Sequence, residues 1–417
     1  MQNPSALNRR NGRKVRSALA LAGLVWVTAA LAAPSAQAQT LTVLYSFKGG
    51  ATDGENPQAG VIMDKAGNLC GTTVEAHAPL EGIAFELTTT GTETVLHRFA
   101  GGTDGANPYA GLIEGAAGTF YGTTSAGGAS NSGVVFKVTK TGETVLYTFT
   151  GPPGDGAIPY AGLVQDAAGN LYGTTSAGGK FNSGVVFKLD TAGNETVLYN
   201  FTGGADGAFP YGGLLLSSAG NLFGTTSAGG ITAGNCFPGG CGVVFVLDTT
   251  TGAQKVLYSF TGSPDGAYPY AGLAGDPAGN LYGTTYNGGS GPCTNGCGVV
   301  FKLDLAGTET VLHSLTGYPT DGAFPYAGVV FDTAGNIYGT ATYGGESDNG
   351  VVFKLNASGK ETMVYSFLGG MAGALPHGGL ILDSSGNLYG TTYSAGITSA
   401  ACGGKDSGCG IVFKLTQ

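Results

Sequence analysis

Residues 155–201 read DGAIPYAGLVQDAAGNLYGTTSAGGKFNSGVVFKLDTAGNETVLYNF, and looser copies of this stretch fill most of the chain. The Asp-Gly that opens the stretch recurs at intervals of 51 to 59 residues, with Ala372-Gly373 in the seventh place. The repeat units begin near residues 53, 104, 155, 206, 265, 321 and 372. Self-similarity at a nearly fixed period is typical of folds in which each unit packs against the next.

Each unit contains four predicted strands separated by turn residues. In the quoted copy we expect strands at 161–166, 171–175, 185–189 and 196–201, where Val, Thr, Tyr and Phe dominate without a helical period. Gly-Asn pairs supply the positive φ angles that tight hairpins need. Four short antiparallel strands repeated seven times predict an all-β fold, a seven-bladed β-propeller of four-stranded blades. A linear β-solenoid is the alternative.

The two chain ends favour the propeller over the solenoid. The last unit stops after its third strand, 411–415, whereas a fourth-strand sequence, TVLYSF, stands at 42–47 ahead of the first unit. A ring in which an N-terminal strand at 41–47 completes the last blade accounts for this offset. A solenoid would instead need polar caps at both ends, and the sequence shows none.

The first 38 residues predict a signal peptide. Five basic residues precede an apolar run at 17–33, and Ala36-Gln37-Ala38 provides a small-residue cleavage pattern before Gln39. A retained membrane anchor is the alternative, which the short apolar run disfavours. We therefore expect residues 39–417 to form a single propeller domain of an exported protein, either periplasmic or extracellular.

Charge narrows the choice of partners. Without the five basic residues of 1–38, the chain has 13 Lys and Arg against 27 Asp and Glu, a net charge of −14. An acidic surface repels the phosphate backbone, so nucleic acid is not expected as a partner. No later apolar run in the sequence is long enough to span a bilayer. We expect a monomer.

Six of the seven cysteines form three close pairs in the loops between the second and third strands of units 4, 5 and 7. The pairs are Cys236 with Cys241, Cys293 with Cys297, and Cys402 with Cys409. Export to an oxidising compartment favours local disulfides that stiffen these loops. A metal site is the weaker alternative, because the pairs lie in different units without a histidine at ligand spacing. Cys70 stands where other units have Tyr or Phe, and we expect a buried free thiol there.

The Pro-Tyr steps of the repeat form the candidate binding site. In four-stranded blades, the loop joining two blades and the loop between second and third strands lie on the same face of the disc. The residues after each proline are expected to form a ring near the mouth of the central channel: Gln58, Tyr109, Tyr160, Tyr211, Tyr270, Tyr326 and His377. Such a ring could stack on sugar rings or hold a peptide. The alternative is that the tyrosines pack against neighbouring blades and the repeated aspartates cap their own turns.

Catalysis is less favoured by the sequence. No Ser or Cys stands in a nucleophile-elbow setting, and the aspartates belong to repeated turns rather than to one pair of carboxylates. His97 and His313 occupy fourth-strand positions that usually hold tyrosine. We expect no catalytic residues, no cofactor and no bound metal. The alternative is a secreted hydrolase or lyase acting on polysaccharide with loop carboxyl groups such as Glu346, Asp348 and Asp406.

The repeat combines Asp-Gly-Ala-x-Pro-Tyr-Ala-Gly, Gly-Asn-Leu-Tyr-Gly-Thr-Thr and Gly-Val-Val-Phe-Lys-Leu. In these motifs it resembles the GloVer tandem repeats of exported bacterial proteins, the choice-of-anchor repeat proteins. Its Asp-x-x-Gly-Asn-Leu-Tyr turn is also similar to NHL-type propeller repeats. The resemblance implies an exported, often cell-surface protein without an assigned activity. Since the sequence has no apolar tail, we expect a freely soluble exported protein.

These expectations combine into one function. The disulfide-stiffened loops on one face of the propeller would present a binding surface to a glycan or a protein. The protein would then be a non-catalytic binding or interaction module.

Overall fold

The computed structural model describes residues 39–417 apart from 51, 77–80, 233–235, 237 and 403–407. The predicted signal peptide, 1–38, and the loop carboxyl group of Asp406 lie outside the described residues. Within the described part of the chain, no helix is long and apolar enough to cross a bilayer.

In the described residues, seven four-stranded antiparallel sheets follow one another and are called blades 1 to 7. Blade 1 consists of strands Ile62–Met63, Leu69–Thr73, Ile83–Leu87 and Glu93–Arg98. Blade 2 consists of Ile113–Glu114, Phe120–Thr124, Val134–Thr139 and Gly142–Thr148. Blade 3 consists of Val164–Gln165, Leu171–Thr175, Val185–Leu189 and Glu195–Asn200. Blade 4 consists of Leu215–Leu216, Asn221–Thr226, Val243–Asp248 and Gln254–Ser259. Blade 5 consists of Ala274–Gly275, Leu281–Thr285, Val299–Leu303 and Glu309–Ser314. Blade 6 consists of Val330–Phe331, Ile337–Ala341, Val351–Leu355 and Glu361–Ser366. The predicted all-β propeller fold is confirmed.

Blade 7 joins the two ends of the chain. Its strands are Ile381–Leu382, Leu388–Thr392, Ile411–Thr416 and the N-terminal strand Thr40–Ser46. Thr40 lies opposite Thr416 and Val43 opposite Phe413 in an antiparallel pairing. The predicted ring closure by the N-terminal strand is therefore confirmed.

Short elements complete the loops of the described chain. Two-residue strands pair Gly156–Ala157 with Ala177–Gly178 and Gly322–Ala323 with Tyr343–Gly344. Two 3₁₀ turns cover Gly102–Asp104 and Gly370–Ala372. Both kinds of element lie in the loops that join blades or that join second to third strands, so they shape one face of the disc.

The repeated Gly-Thr-Thr holds neighbouring blades together. Its first threonine donates a hydrogen bond to a backbone carbonyl of the next blade, as from Thr72 to Ala110 at 2.7 Å. The bond also bridges the ring closure, where Thr391 donates to the Ala59 carbonyl at 2.8 Å. A buried hydrogen bond of this kind contributes about 1 kcal/mol. The second threonine serves its own blade, since Thr175 donates to the Ala177 carbonyl.

Aromatic pairs fill the space between blades. The phenylalanine that follows an outermost strand packs edge-on against a third-strand phenylalanine of the next blade, as Phe47 does against Phe85 with ring centres 5.2 Å apart. Five more interfaces repeat the pair: Phe99–Phe136, Phe149–Phe187, Phe201–Phe245, Phe260–Phe301 and Phe367–Phe413. Between blades 5 and 6, Leu315 takes the place of the first ring and is fully buried. The core is thus a set of layers between blades.

Glycines before the first strands crowd around the central axis. A Cβ atom on Gly60 would lie 2.2 Å from the carbonyl oxygen of Gly379, which belongs to the neighbouring blade. Gly272 has a similar relation to Gly213, with 2.7 Å to the carbonyl oxygen. At these two interfaces the backbones before the innermost strands are close enough to leave no room for a side chain in place of the glycine.

The three predicted disulfides form, with Cα–Cα distances of 5.0 to 5.1 Å. They join Cys236 to Cys241, Cys293 to Cys297, and Cys402 to Cys409. Cys70 is buried and forms no disulfide with any described residue, as predicted.

Candidate functional site

The residues that follow the repeated prolines converge on one cavity at the centre of the disc. The cavity has a volume of about 410 Å³ and is called the aromatic cup. Its lining consists of Gln58, Tyr109, Tyr160, Tyr211, Tyr270, Tyr326 and His377. These are the seven residues that the sequence placed near the mouth of the channel, and the structure brings all of them together.

A left-handed residue before each proline turns the chain toward the cup. In blade 3 this residue is Ile158, with φ 59°, a conformation that β-branched side chains rarely adopt. Its amide donates to the Ser132 carbonyl of the preceding blade, and its carbonyl accepts from the Ser176 amide. These bonds on both sides hold the strained backbone in place. Equivalent positive φ angles occur at Asn56, Asn107, Phe209, Tyr268, Phe324 and Leu375.

The rings of the cup support one another. From Tyr109 through Tyr160, Tyr211, Tyr270 and Tyr326 to His377, successive ring centres are 4.7 to 5.5 Å apart. Edge-to-face and stacked contacts at these distances are favourable. His377 Nδ1 and Gln58 Oε1, 2.8 Å apart, continue the ring toward blade 1. The cup is a preformed concave surface.

The cup carries no formal charge at neutral pH. Burial lowers the pKa of His377 to about 4, so its imidazole is neutral. Since Gln58 Oε1 is an acceptor, the neutral ring carries its proton on Nδ1 and leaves Nε2 as an acceptor. Burial is also the main cause that raises the pKa of Tyr326 to about 12, so its hydroxyl stays protonated. The cup offers aromatic faces and neutral hydrogen-bonding groups.

Two tyrosines that the sequence analysis missed adjoin the cup. Tyr286 has its ring centre 4.9 Å from that of Tyr326, and Tyr393 stacks on His377 at 4.8 Å. Both occupy the position after Gly-Thr-Thr, which is serine in blades 2, 3 and 4. That departure from the repeat was the available signal.

An aromatic groove leads away from the cup between blades 5 and 6. From Tyr286 the ring contacts continue to Phe324 at 5.0 Å and from there to Tyr343 at 6.0 Å. The groove has a volume of about 380 Å³ and is also lined by Tyr318 and by Cys293 of a disulfide loop. Tyr318 is 62% exposed. The Cys236–Cys241 and Cys402–Cys409 pairs line neither the cup nor the groove.

The repeated aspartates lie outside the cup and hold their own turns. Asp155 accepts hydrogen bonds from the hydroxyl of Tyr147 at 3.0 Å and from the backbone amides of Thr150 and Gly156. His97 and His313 replace the tyrosine at two of these places, each with Nε2 2.9 Å from an aspartate oxygen. The alternative reading of the aspartates as turn caps is therefore correct.

A second concave surface has polar groups that already stabilise a hairpin turn. A cleft of about 540 Å³ lies between blades 3 and 4 and is lined by hairpin-turn residues such as Asp166 and Thr249. Asp166 already accepts hydrogen bonds from the amides of Ala168 and Asn170 and from the hydroxyl of Tyr172. Because its polar groups stabilise the turn, this cleft is a weaker candidate than the cup.

Comparison with known families adds an identity to this geometry. The Gloeobacter/Verrucomicrobia repeat matches residues 33–237 and 232–413, which together cover most of the chain. The chain belongs to this repeat family. No curated protein sequence matches it significantly.

Two solved structures are similar to this repeat-family propeller at low identity. Virginiamycin B lyase from Staphylococcus aureus is 15% identical with a TM-score of 0.57, over 91% of this chain and 99% of that one. A gluconolactonase from Xanthomonas campestris is 10% identical with a TM-score of 0.43, over 90% of this chain and 89% of that one. The likeness to the lyase concerns the fold alone.

Proposed function

We propose that this protein is an exported, non-catalytic binding module whose aromatic cup binds a neutral glycan. The observation that carries the proposal is the uncharged ring of five tyrosines, Gln58 and His377 around a cavity of about 410 Å³. A sugar ring has apolar C–H faces and a rim of hydroxyls, which suit aromatic faces combined with neutral donors and acceptors. A charged ligand would find no opposite charge among the described residues lining the cup.

The groove suggests that the ligand is a chain of sugars rather than a single one. Tyr286 joins the cup to Phe324 and Tyr343, so one sugar unit could lie in the cup while the next units stack along the groove. The Cys293–Cys297 loop forms one wall and would keep the groove in shape without a ligand. A rigid site lowers the entropy cost of binding.

Calorimetric titration with neutral oligosaccharides of two to six units tests this proposal. Tyr160→Ala and Tyr211→Ala should weaken binding at least about tenfold, because each removes an aromatic wall of the cup. Leu305→Ala is the control, since Leu305 is 51% exposed and lies in a turn between third and fourth strands, away from the cup. An unchanged affinity in both tyrosine variants would contradict the proposal.

The role of the groove can be tested separately. Tyr286→Ser introduces the residue that the repeat itself has in blades 2 to 4. In that variant, affinity should stop increasing with chain length, while binding of the shortest oligosaccharide should persist. An unchanged length dependence would confine the site to the cup.

The alternative function, hydrolysis or lyase cleavage of polysaccharide, would need an acid and a base beside the groove. Asp348 lies there, but its Oδ1 accepts a hydrogen bond from the Gly344 amide and holds the loop. Glu346 is exposed. Incubating the same oligosaccharides with the protein and analysing products by mass spectrometry distinguishes cleavage from binding.

A further inference from the structure

A triad of polar side chains recurs where the outermost strands of neighbouring blades meet. Near its end, one strand carries a tyrosine or histidine that contacts the aspartate of the connecting turn. The glutamate that begins the next outermost strand lies beside the same aspartate. In blades 2 and 3 this rim triad consists of Tyr147, Asp155 and Glu195, with 3.0 Å between the tyrosine hydroxyl and Asp155 Oδ2 and with Glu195 within reach of the Asp155 charge.

Two rim triads contain histidine instead of tyrosine. They are His97–Asp104–Glu143 between blades 1 and 2, and His313–Asp321–Glu361 between blades 5 and 6. In each, one nitrogen and two carboxylate oxygens lie within 4.8 Å of one another, and the histidine Nε2 is 2.9 Å from the aspartate. We propose that each of these two triads binds a divalent metal ion of the zinc type.

The donor set suits zinc, and its three atoms lie close enough together for one ion. Zinc takes histidine nitrogen and carboxylate oxygen at about 2.0–2.2 Å, so donor atoms on one tetrahedral ion lie about 3.4 Å apart. At 2.9 Å the histidine Nε2 and the aspartate oxygen are hydrogen-bonded, so zinc would replace the bridging proton and move these two atoms slightly apart. Small side-chain movements would bring in the glutamate, and water would fill the fourth position. Two carboxylates and a neutral imidazole balance the charge of the ion.

A second observation points to a missing partner at these places. The Oε1 atoms of Glu143 and Glu361 are closed off from solvent, and neither has a hydrogen-bond partner within the described chain. A buried carboxylate oxygen without a partner is unfavourable. A metal ion bound between glutamate, aspartate and histidine would supply the partner.

The rim triads that contain tyrosine are not expected to bind a metal ion. Glu93, Glu195 and Glu309 also have an unpartnered Oε1 among the described atoms, but the third group there is a tyrosine hydroxyl. Burial, together with the hydrogen bond to Asp155, holds the pKa of Tyr147 above its usual range, so that oxygen keeps its proton and is a poor ligand. A histidine at the same position offers a neutral nitrogen.

Zinc titration of the chelator-stripped chain tests the proposal. His97→Tyr and His313→Tyr place at each site the residue that most other blades already have, so both variants should fold. Calorimetry should give two zinc ions per chain for the unmodified protein, one for each single variant and none for the double variant. The zinc-dependent rise in melting temperature should disappear in the double variant as well.

Two further substitutions predict opposite results. Tyr147→His should create a third site, because Asp155 and Glu195 are in place. Tyr199→His should add none, because Gln254 stands where the glutamate would be. The proposal would be overturned if the variant with both His97→Tyr and His313→Tyr still bound two zinc ions. It would also be overturned if the unmodified protein bound no zinc.

Discussion

Replacing Glu195 by glutamine is expected to change how the stability of the propeller depends on pH. Burial, and then the neighbouring charge of Asp155, raises the pKa of Glu195 from 4.5 to about 7. The folded protein therefore holds this proton more tightly than the unfolded chain does. The resulting stabilisation is complete below pH 4.5 and is lost as the pH rises to about 7. Glutamine has no such proton.

The expected change in the free energy of unfolding follows from the pKa shift of Glu195 and from the exposure of its side chain. A rise in pKa from 4.5 to about 7 corresponds at most to about 3 kcal/mol of free energy of unfolding. Because Glu195 is only partly buried, water screens the interaction, and we expect about 1 kcal/mol. Glu93 and Glu309 also have pKa values raised to about 7, mainly by burial. The triple variant should therefore gain about 3 kcal/mol over the unmodified protein at pH 8 and nothing at pH 4.

Urea unfolding at pH 4, 6 and 8, at constant ionic strength and with a chelator present, measures this difference. Glu346→Gln serves as the control, because Glu346 is exposed. Comparing variants with the unmodified protein cancels other titrating groups such as His377, whose lowered pKa acts in the opposite direction. Parallel stability curves for the triple variant and the unmodified protein would refute the reasoning.

Two predictions concern the ring itself. Deleting residues 39–47 removes the partner of strand Ile411–Thr416 and exposes its edge. Compared with a chain that begins at Gln39, the shortened chain should have a lower melting temperature, and light scattering should detect its association. A monomer with an unchanged melting temperature would contradict this. Gly60→Ala should lower the free energy of unfolding by about 3 kcal/mol, because its Cβ would lie 2.2 Å from the Gly379 carbonyl oxygen. Gly154→Ala is the matched control, with open space around the new atom, and equal losses in chemical denaturation would rule out the crowding.

The sequence predicted the fold because each of its signals is local and repeated. The strand pattern and the turn residues recur in every unit, and the offset between the chain ends leaves one blade short of a strand. The pairing of Thr40–Ser46 with Ile411–Thr416 is the consequence. Cysteines four to seven residues apart likewise pair across their own loops.

The ring of residues after the prolines was also predictable, because the propeller brings equivalent positions of all units to one axis. Contacts between residues at different repeat positions in neighbouring blades could not be predicted. Tyr286 reaches Tyr326 of the following blade, and Glu143 reaches His97 of the preceding one. Such contacts depend on the twist of the blades, which sequence periodicity does not fix.

A repeated residue and a deviating residue carry different information about this protein. Thr72 and its equivalents hold blades together, and a ring of such interfaces needs nothing to distinguish one blade from another. A ring of equal blades would, however, give a cup that is the same on all sides, whereas the proposed oligosaccharide would enter from one side. The deviations supply that direction between blades 5 and 6, where Tyr286 lies between the cup and the groove. Replacing Tyr286 by alanine should therefore weaken binding of long oligosaccharides more than replacing Ser125, Ser176 or Ser227, which hold the same position in blades 2 to 4.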